Sequence, residues 1–183
     1  FETYWAAMRS GLYLTTVNRY LTADEAAYIV QDCQAKILVD SPAVRQVATQ
    51  MIESIAECPI RLMFDEAAEG YECFQDAVAD FPIEPLTAQP RGARMLYSSG
   101  TTGRPKGIKP PLDGSDISTP DVVAASVVGG IFGIGAEHTY LSPAPLYHSA
   151  PLGFTTGTQA MGGTVVVMEK FDPVEALVCI EKY

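Results

Sequence analysis

Histidine is scarce and cysteine is unpatterned in this sequence of 183 residues, which has two histidines, His138 and His148, and four cysteines, Cys33, Cys58, Cys73 and Cys179, without a C-x-x-C pair. Such a set does not make a zinc site at ordinary ligand spacings, and it predicts reduced, mostly buried thiols in a cytosolic protein rather than a disulfide framework. Long apolar runs are missing too. The longest, 122–136, is broken by Ser126 and four glycines and falls short of the roughly 20 residues that a membrane span requires. No charged-then-apolar leader opens the chain, and neither an internal repeat nor a low-complexity tract occurs. The first residue is Phe1 rather than methionine, and Tyr183 falls inside a predicted helix. A fragment of a longer protein is the expectation.

What is present is globular in composition, 48% hydrophobic and 19% charged. The net charge of -10 argues against general affinity for nucleic acid or an anionic membrane. The charge is uneven. Seven acidic residues and no basic one lie between Asp65 and Glu84, whereas 85–112 holds five basic residues (Arg91, Arg94, Arg104, Lys106, Lys109) and no acidic one. A small anion would therefore find its favourable local field in the second stretch.

That stretch contains Tyr97-Ser98-Ser99-Gly100-Thr101-Thr102-Gly103-Arg104-Pro105-Lys106-Gly107. Glycines at 100, 103 and 107 let backbone amides turn toward a ligand, Ser98, Ser99, Thr101 and Thr102 add hydroxyl donors, and Lys106 adds a mobile point charge. Each hydrogen bond to a charged oxygen contributes about 1.5–3 kcal/mol, so several could hold a triphosphate. A P-loop fails on spacing: Pro105 stands where its second glycine would be, and Lys106 is followed by Gly107 rather than a hydroxyl.

Around this loop the periodicity alternates between strand and helix. Phe1, Tyr4, Trp5 and Met8 predict a helix ended by Gly11, followed by a strand over 12–17. Thr22-Ala23-Asp24-Glu25 is a capping box before a helix burying Ala26, Ile29, Val30 and Cys33. Strands are predicted at 36–40 and 61–64, separated by a helix capped at Ser41-Pro42 with Val44, Val47, Ala48, Met51 and Ile55 on one face. Tyr71, Phe74, Val78 and Phe81 predict a helix whose acids are a solvated face. A Pro-rich connection over 81–92 leads to a strand at 94–97. Downstream come a small-residue helix over 121–135, a strand over 139–141, a helix over 149–161 ended by Gly162-Gly163, a strand over 164–168 and a last helix capped at Asp172-Pro173. Apolar strands alternating with helices point to an α/β fold, a largely parallel sheet flanked by helices.

The loop itself resembles the phosphate-binding signature of the adenylate-forming superfamily, which includes acyl-CoA synthetases, luciferases and nonribosomal peptide adenylation domains. That pattern runs Ser/Thr, Ser/Thr, Gly, Ser/Thr, Thr, Gly, any residue, Pro, Lys, Gly, and residues 98–107 match it throughout. Two flanking stretches agree: Gly11 to Asn18 with the helix after it, and Pro145-Leu146-Tyr147-His148, which is similar to the family's P-x-x-H. The resemblance implies that 1–183 is part of the large N-terminal domain of an acyl-CoA synthetase-like fold, phosphate loop at 97–107, with the small C-terminal domain absent. It implies a cytoplasmic ligase acting on a small-molecule carboxylic acid, a fatty acid by preference, with ATP, Mg2+ and coenzyme A, no nucleic acid and no transmembrane segment; a homo-oligomer is left open. Ser98, Ser99, Gly100, Thr101, Thr102, Gly103 and Lys106 carry over as phosphate-binding residues and His148 as the residue that places the carboxylate; His138 matches nothing and is expected in an exposed loop. Ile108-Lys109-Pro110-Pro111-Leu112 departs from the commoner continuation and resembles a subset of bacterial fatty-acid ligases. The family's adenine-stacking and magnesium-ligating Y-G-x-T-E motif, its ribose-binding aspartate and its C-terminal lysine have no counterpart here, so this chain is expected to be inactive alone. An adenylation domain or aryl-acid ligase that acylates a carrier protein, and a non-catalytic nucleotide-binding module, are the alternatives.

Overall fold

Caps and apolar spacing organise two compact units in the computed structural model, Glu2–Asp113 and Gly114–Tyr183, the latter together with Phe1. The structure describes residues 1–98, 103–119, 121 and 123–183. In chain order the first unit holds α1 (Glu2–Arg9), β1 (Tyr13–Leu14), α2 (Ala23–Asp32), β2 (Ile37–Asp40), α3 (Arg45–Gln50), β3 (Ile60–Met63), β4 (Glu72–Cys73), α4 (Phe74–Val78), β5 (Ala93–Arg94), β6 (Leu96–Ser98) and β7 (Lys106–Ile108). The second holds a π-helix (Val123–Ile131), β8 (Thr139–Ser142), α5 (Ser149–Ala160), β9 (Thr164–Val167) and α6 (Pro173–Lys182).

The local signals with the clearest chemistry are realised. Gly11 has φ +68°, a left-handed backbone that costs glycine little, and it turns the chain out of α1. At α2 the Thr22 hydroxyl accepts from Glu25 N–H at 3.4 Å while the Glu25 carboxylate accepts from Thr22 N–H at 2.9 Å. The helix so started buries Ala26, Ala27, Ile29 and Val30. Of these, Ala26, Ala27 and Val30 meet Ala48, Met51, Ile55, Cys58, Met63 and Tyr71 in the core of the first unit. At α6, Asp172 Oδ1 accepts from Val174 N–H and Glu175 N–H, each at 2.9 Å.

Among the described residues strand pairing is parallel for β1–β5, β2–β3, β3–β4 and β8–β9, as expected for an α/β chain, but these pairs form three small sheets rather than one. The exception is β6–β7, which is antiparallel, with Tyr97 opposite Gly107 and Ser98 opposite Lys106. This pair carries the two ends of the signature loop.

Several expected elements change shape. The strand expected over 12–17 is two residues long because its partner β5 is no longer. The helix expected from Pro42 to Ile55 is broken into a 3-10 turn (Pro42–Val44), α3 and a second 3-10 turn (Glu53–Ile55). Ser41 makes no side-chain cap there, although the expected face still buries Ala48, Met51 and Ile55. The helix expected through Tyr71, Phe74, Val78 and Phe81 is mostly absent: Tyr71 is buried and its hydroxyl donates to Ala48 C=O at 3.2 Å, Glu72–Cys73 joins β3, and only Phe74–Val78 is helical. Where a helix is expected over 121–135, Val123–Ile131 form a wide π-helix, with Phe132 N–H donating to Val127 C=O at 3.1 Å. The thiols are less buried than expected, since only Cys58 is fully enclosed.

Candidate phosphate-binding site

Lys106 and Ser98 are exposed and face each other across the β6–β7 ladder, so both ends of the signature meet on one strand pair. Gly103 is exposed, and nothing among the described residues lies within 4 Å of where a Cβ would stand. Ser99, Gly100, Thr101 and Thr102 lie outside the described residues. Gly107 has a different role from the amide-turning one expected of it. A Cβ there would stand 2.5 Å from Met95 Cε and 2.9 Å from Tyr97 Cζ, so its bare backbone makes room for the tyrosine ring.

Three tyrosines hold the stems. The Tyr97 hydroxyl donates to Asp32 Oδ2 at 2.5 Å, and the Tyr28 hydroxyl donates to Pro105 C=O at 3.1 Å. Arg104 lies with its guanidinium 5.0 Å from the centre of the Tyr28 ring. Beyond β7, the Tyr13 hydroxyl donates to Pro110 C=O at 2.7 Å, and the Lys109 ammonium sits 4.7 Å from the Tyr13 ring centre. Burial first, then the hydrogen bond and charge of Asp32, push the Tyr97 hydroxyl above the usual tyrosine range. It therefore stays protonated and keeps donating.

The cations of 85–112 are thus divided in function. Arg104 and Lys109 are seated on aromatic faces, an attraction of about 0.5–1 kcal/mol at exposed sites, whereas Lys106 stands exposed between them in sequence. A phosphate oxygen near Ser98 would meet a hydroxyl and an ammonium on adjacent strands. Tyr13, Tyr28 and Asp32 were not anticipated from the sequence. Tyr28 and Asp32 are four apart in α2, hence on one face, and that spacing was the available clue.

His148 belongs to the second unit. It is the N-cap of α5 with φ -83° and ψ 146°, its carbonyl accepts from Leu152 N–H at 3.1 Å, and its side chain makes no cap bond. The exposed ring lies 4.2 Å from that of Tyr147. Such an imidazole is available to a ligand. His138 is exposed as expected, but it is occupied: its Nδ1 accepts from Gly135 N–H at 3.1 Å and closes a turn.

The first unit also holds a cavity of about 250 Å³ bordered by Val17, Asn18, Asp40, Ser41 and Phe64 among others. Burial pushes the Asp40 carboxyl up to about 6, with the nearby Tyr71 hydroxyl working the other way.

Comparison with known proteins agrees with the loop. The peroxisomal OPC-8:0-CoA ligase of Arabidopsis thaliana is 27% identical over 97% of this chain and 33% of its own length. The long-chain-fatty-acid CoA ligase of Thermus thermophilus is 28% identical over 80% of this chain and 27% of its own. An anthranilate CoA ligase solved with anthranoyl-AMP superposes with a TM-score of 0.78 at 20% identity, over 97% of this chain and 34% of that one. The chain spans about a third of the length of the curated relatives it matches. The AMP-binding enzyme family matches all of it, residues 1–183, and with the fold and the signature strands in agreement the chain belongs to that family.

Proposed function

We propose that the protein carrying this sequence activates a carboxylic acid, a fatty acid by preference, in the cytoplasm. A carboxylate oxygen attacks the α-phosphorus of ATP, forming an acyl-adenylate and expelling pyrophosphate. The thiol sulfur of coenzyme A then attacks the acyl carbonyl, the C–O bond to AMP breaks, and the thiol proton leaves to solvent. Residues 1–183 are read as the part of the large N-terminal domain that grips the phosphates. Ser98, Ser99, Gly100, Thr101, Thr102, Gly103 and Lys106 hold the β- and γ-phosphates and stabilise charge on the departing pyrophosphate. His148 places the carboxylate.

The observation that carries this reading is the antiparallel pair that sets Ser98 beside Lys106 at the two ends of the signature. Among the described residues no three His, Cys, Asp or Glu side chains gather as a metal site, and Mg2+ would come to such a loop mainly on the phosphates themselves. Thermal unfolding with ATP or pyrophosphate tests the site: ligand at about 100 times its dissociation constant adds roughly 2.7 kcal/mol of stability, and Lys106→Ala removes that gain. The chain alone is expected to give no carboxylate-dependent pyrophosphate exchange. Equal stabilisation of the Lys106→Ala variant would sink the assignment of the loop, and robust exchange by the chain alone would sink the division of labour.

A further inference from the structure

We propose that Tyr28 and Asp32 are positioning residues of the phosphate loop, fastening its two ends to a single face of α2; the proposal rests on the polyphosphate reading of residues 98–107. Asp32 receives the hydroxyl of Tyr97, which lies just before the loop. Tyr28, one helical turn earlier, reaches Pro105 near the loop's other end, immediately before Lys106.

The anchor is firm. Helix α2 is closed at its start by the reciprocal Thr22–Glu25 bonds and buries Ala26, Ala27, Ile29 and Val30. The tethers are placed where they matter. Pro105 C=O belongs to the same planar peptide as Lys106 N–H, so the Tyr28 hydroxyl fixes the plane from which the phosphate-binding lysine departs. Arg104, at the one unspecified position of the signature, packs over the same ring. Gly107 leaves the space in which Tyr97 crosses the hairpin toward Asp32. A loop whose ends are held before ligand arrives loses less conformational freedom on binding. Removing a tether should weaken polyphosphate affinity with no cationic residue deleted.

The test is isothermal titration of inorganic pyrophosphate into the full chain, with urea unfolding of every variant. Asp32→Ala and Tyr28→Leu should each weaken affinity about tenfold. Asp32→Asn, which keeps an oxygen to receive the Tyr97 hydroxyl, should recover most of the loss. Tyr28→Phe keeps the ring under Arg104 and deletes only the hydroxyl, so its loss should be smaller than that of Tyr28→Leu. Asp32→Ala combined with Tyr97→Phe should lose no more than either alone, because both cut the same tether. Lowered unfolding midpoints with unchanged affinity would overturn positioning and leave these residues merely structural. If Lys106→Ala abolishes binding while Asp32→Ala binds normally, positioning falls and the site stands. If the unsubstituted chain takes no pyrophosphate, both fall.

Discussion

Asp40 closes β2 with Oδ2 buried and without a hydrogen-bond partner among the described residues. Loss of hydration raises its carboxyl to about 6 from an ordinary value of 3.8, the nearby Tyr71 hydroxyl opposing. The folded state therefore holds this proton more tightly than the unfolded chain, and stability falls as pH rises from about 4 through about 6. Above that window the full cost of the buried charge is present, at most about 3 kcal/mol for a shift near two units. Asp40→Asn should be more stable than the parent at pH 7.5 by up to about that amount, with the advantage shrinking by about pH 4, as read from urea unfolding at both values. An advantage independent of pH would mean that packing rather than ionisation decides. Thr158 poses a neutral version of the problem. Its Oγ1, on α5, is buried without a partner among the described residues, so Thr158→Val, equal in shape, should hold or raise stability in urea unfolding, by about 1 kcal/mol at most.

Gly157 decides how closely α5 approaches the π-helix, since a Cβ there would lie 2.7 Å from Val128 Cγ2. Gly157→Ala should destabilise by about 1–3 kcal/mol through overpacking. Val128→Ala makes the room, so the double variant should cost less than the two single losses together; strict additivity in urea unfolding would show that the two side chains do not meet. The same pair shows what the sequence could and could not disclose. The small residues of 121–135 announced a helix, but nothing local chose i to i+5 bonding over i to i+4. Thr22 and Asp172 were legible because a cap is settled within three residues of chain. Tyr71 was misread as one position of a helical stripe, because its burial depends on Ala48 C=O, 23 residues away. The site divides similarly. Lys106 and its hydroxyl neighbours are written contiguously, whereas the Tyr28 and Asp32 tethers join residues 77 and 65 apart. Only folding brings those together.

At the scale of the whole molecule, charge sets a conflict that binding of a polyanion must resolve. The chain carries -10 overall, and the seven acids dispersed through 65–84 are followed by five bases dispersed through 85–112. A pyrophosphate far from the protein feels mainly the net negative charge, which repels it; close to the β6–β7 strands it feels Lys106 with Arg104 and Lys109 nearby in sequence. Salt screens the distant repulsion first. Raising ionic strength from about 0.01 to about 0.1 M shortens the Debye length from roughly 30 to 10 Å, so the association rate of pyrophosphate should rise over this range. Toward about 1 M the screening length falls to roughly 3 Å, the local attraction is lost in turn, and affinity should decline. Stopped-flow association across the series would therefore trace a maximum. Lys106→Ala should keep the rise at low salt, which belongs to the net charge, and flatten the fall at high salt, which belongs to the site. A rate that falls from the lowest salt onward would mean that the local cations outweigh the net charge at every distance, and the acidic balance of the chain would then have no bearing on how its phosphate ligand arrives.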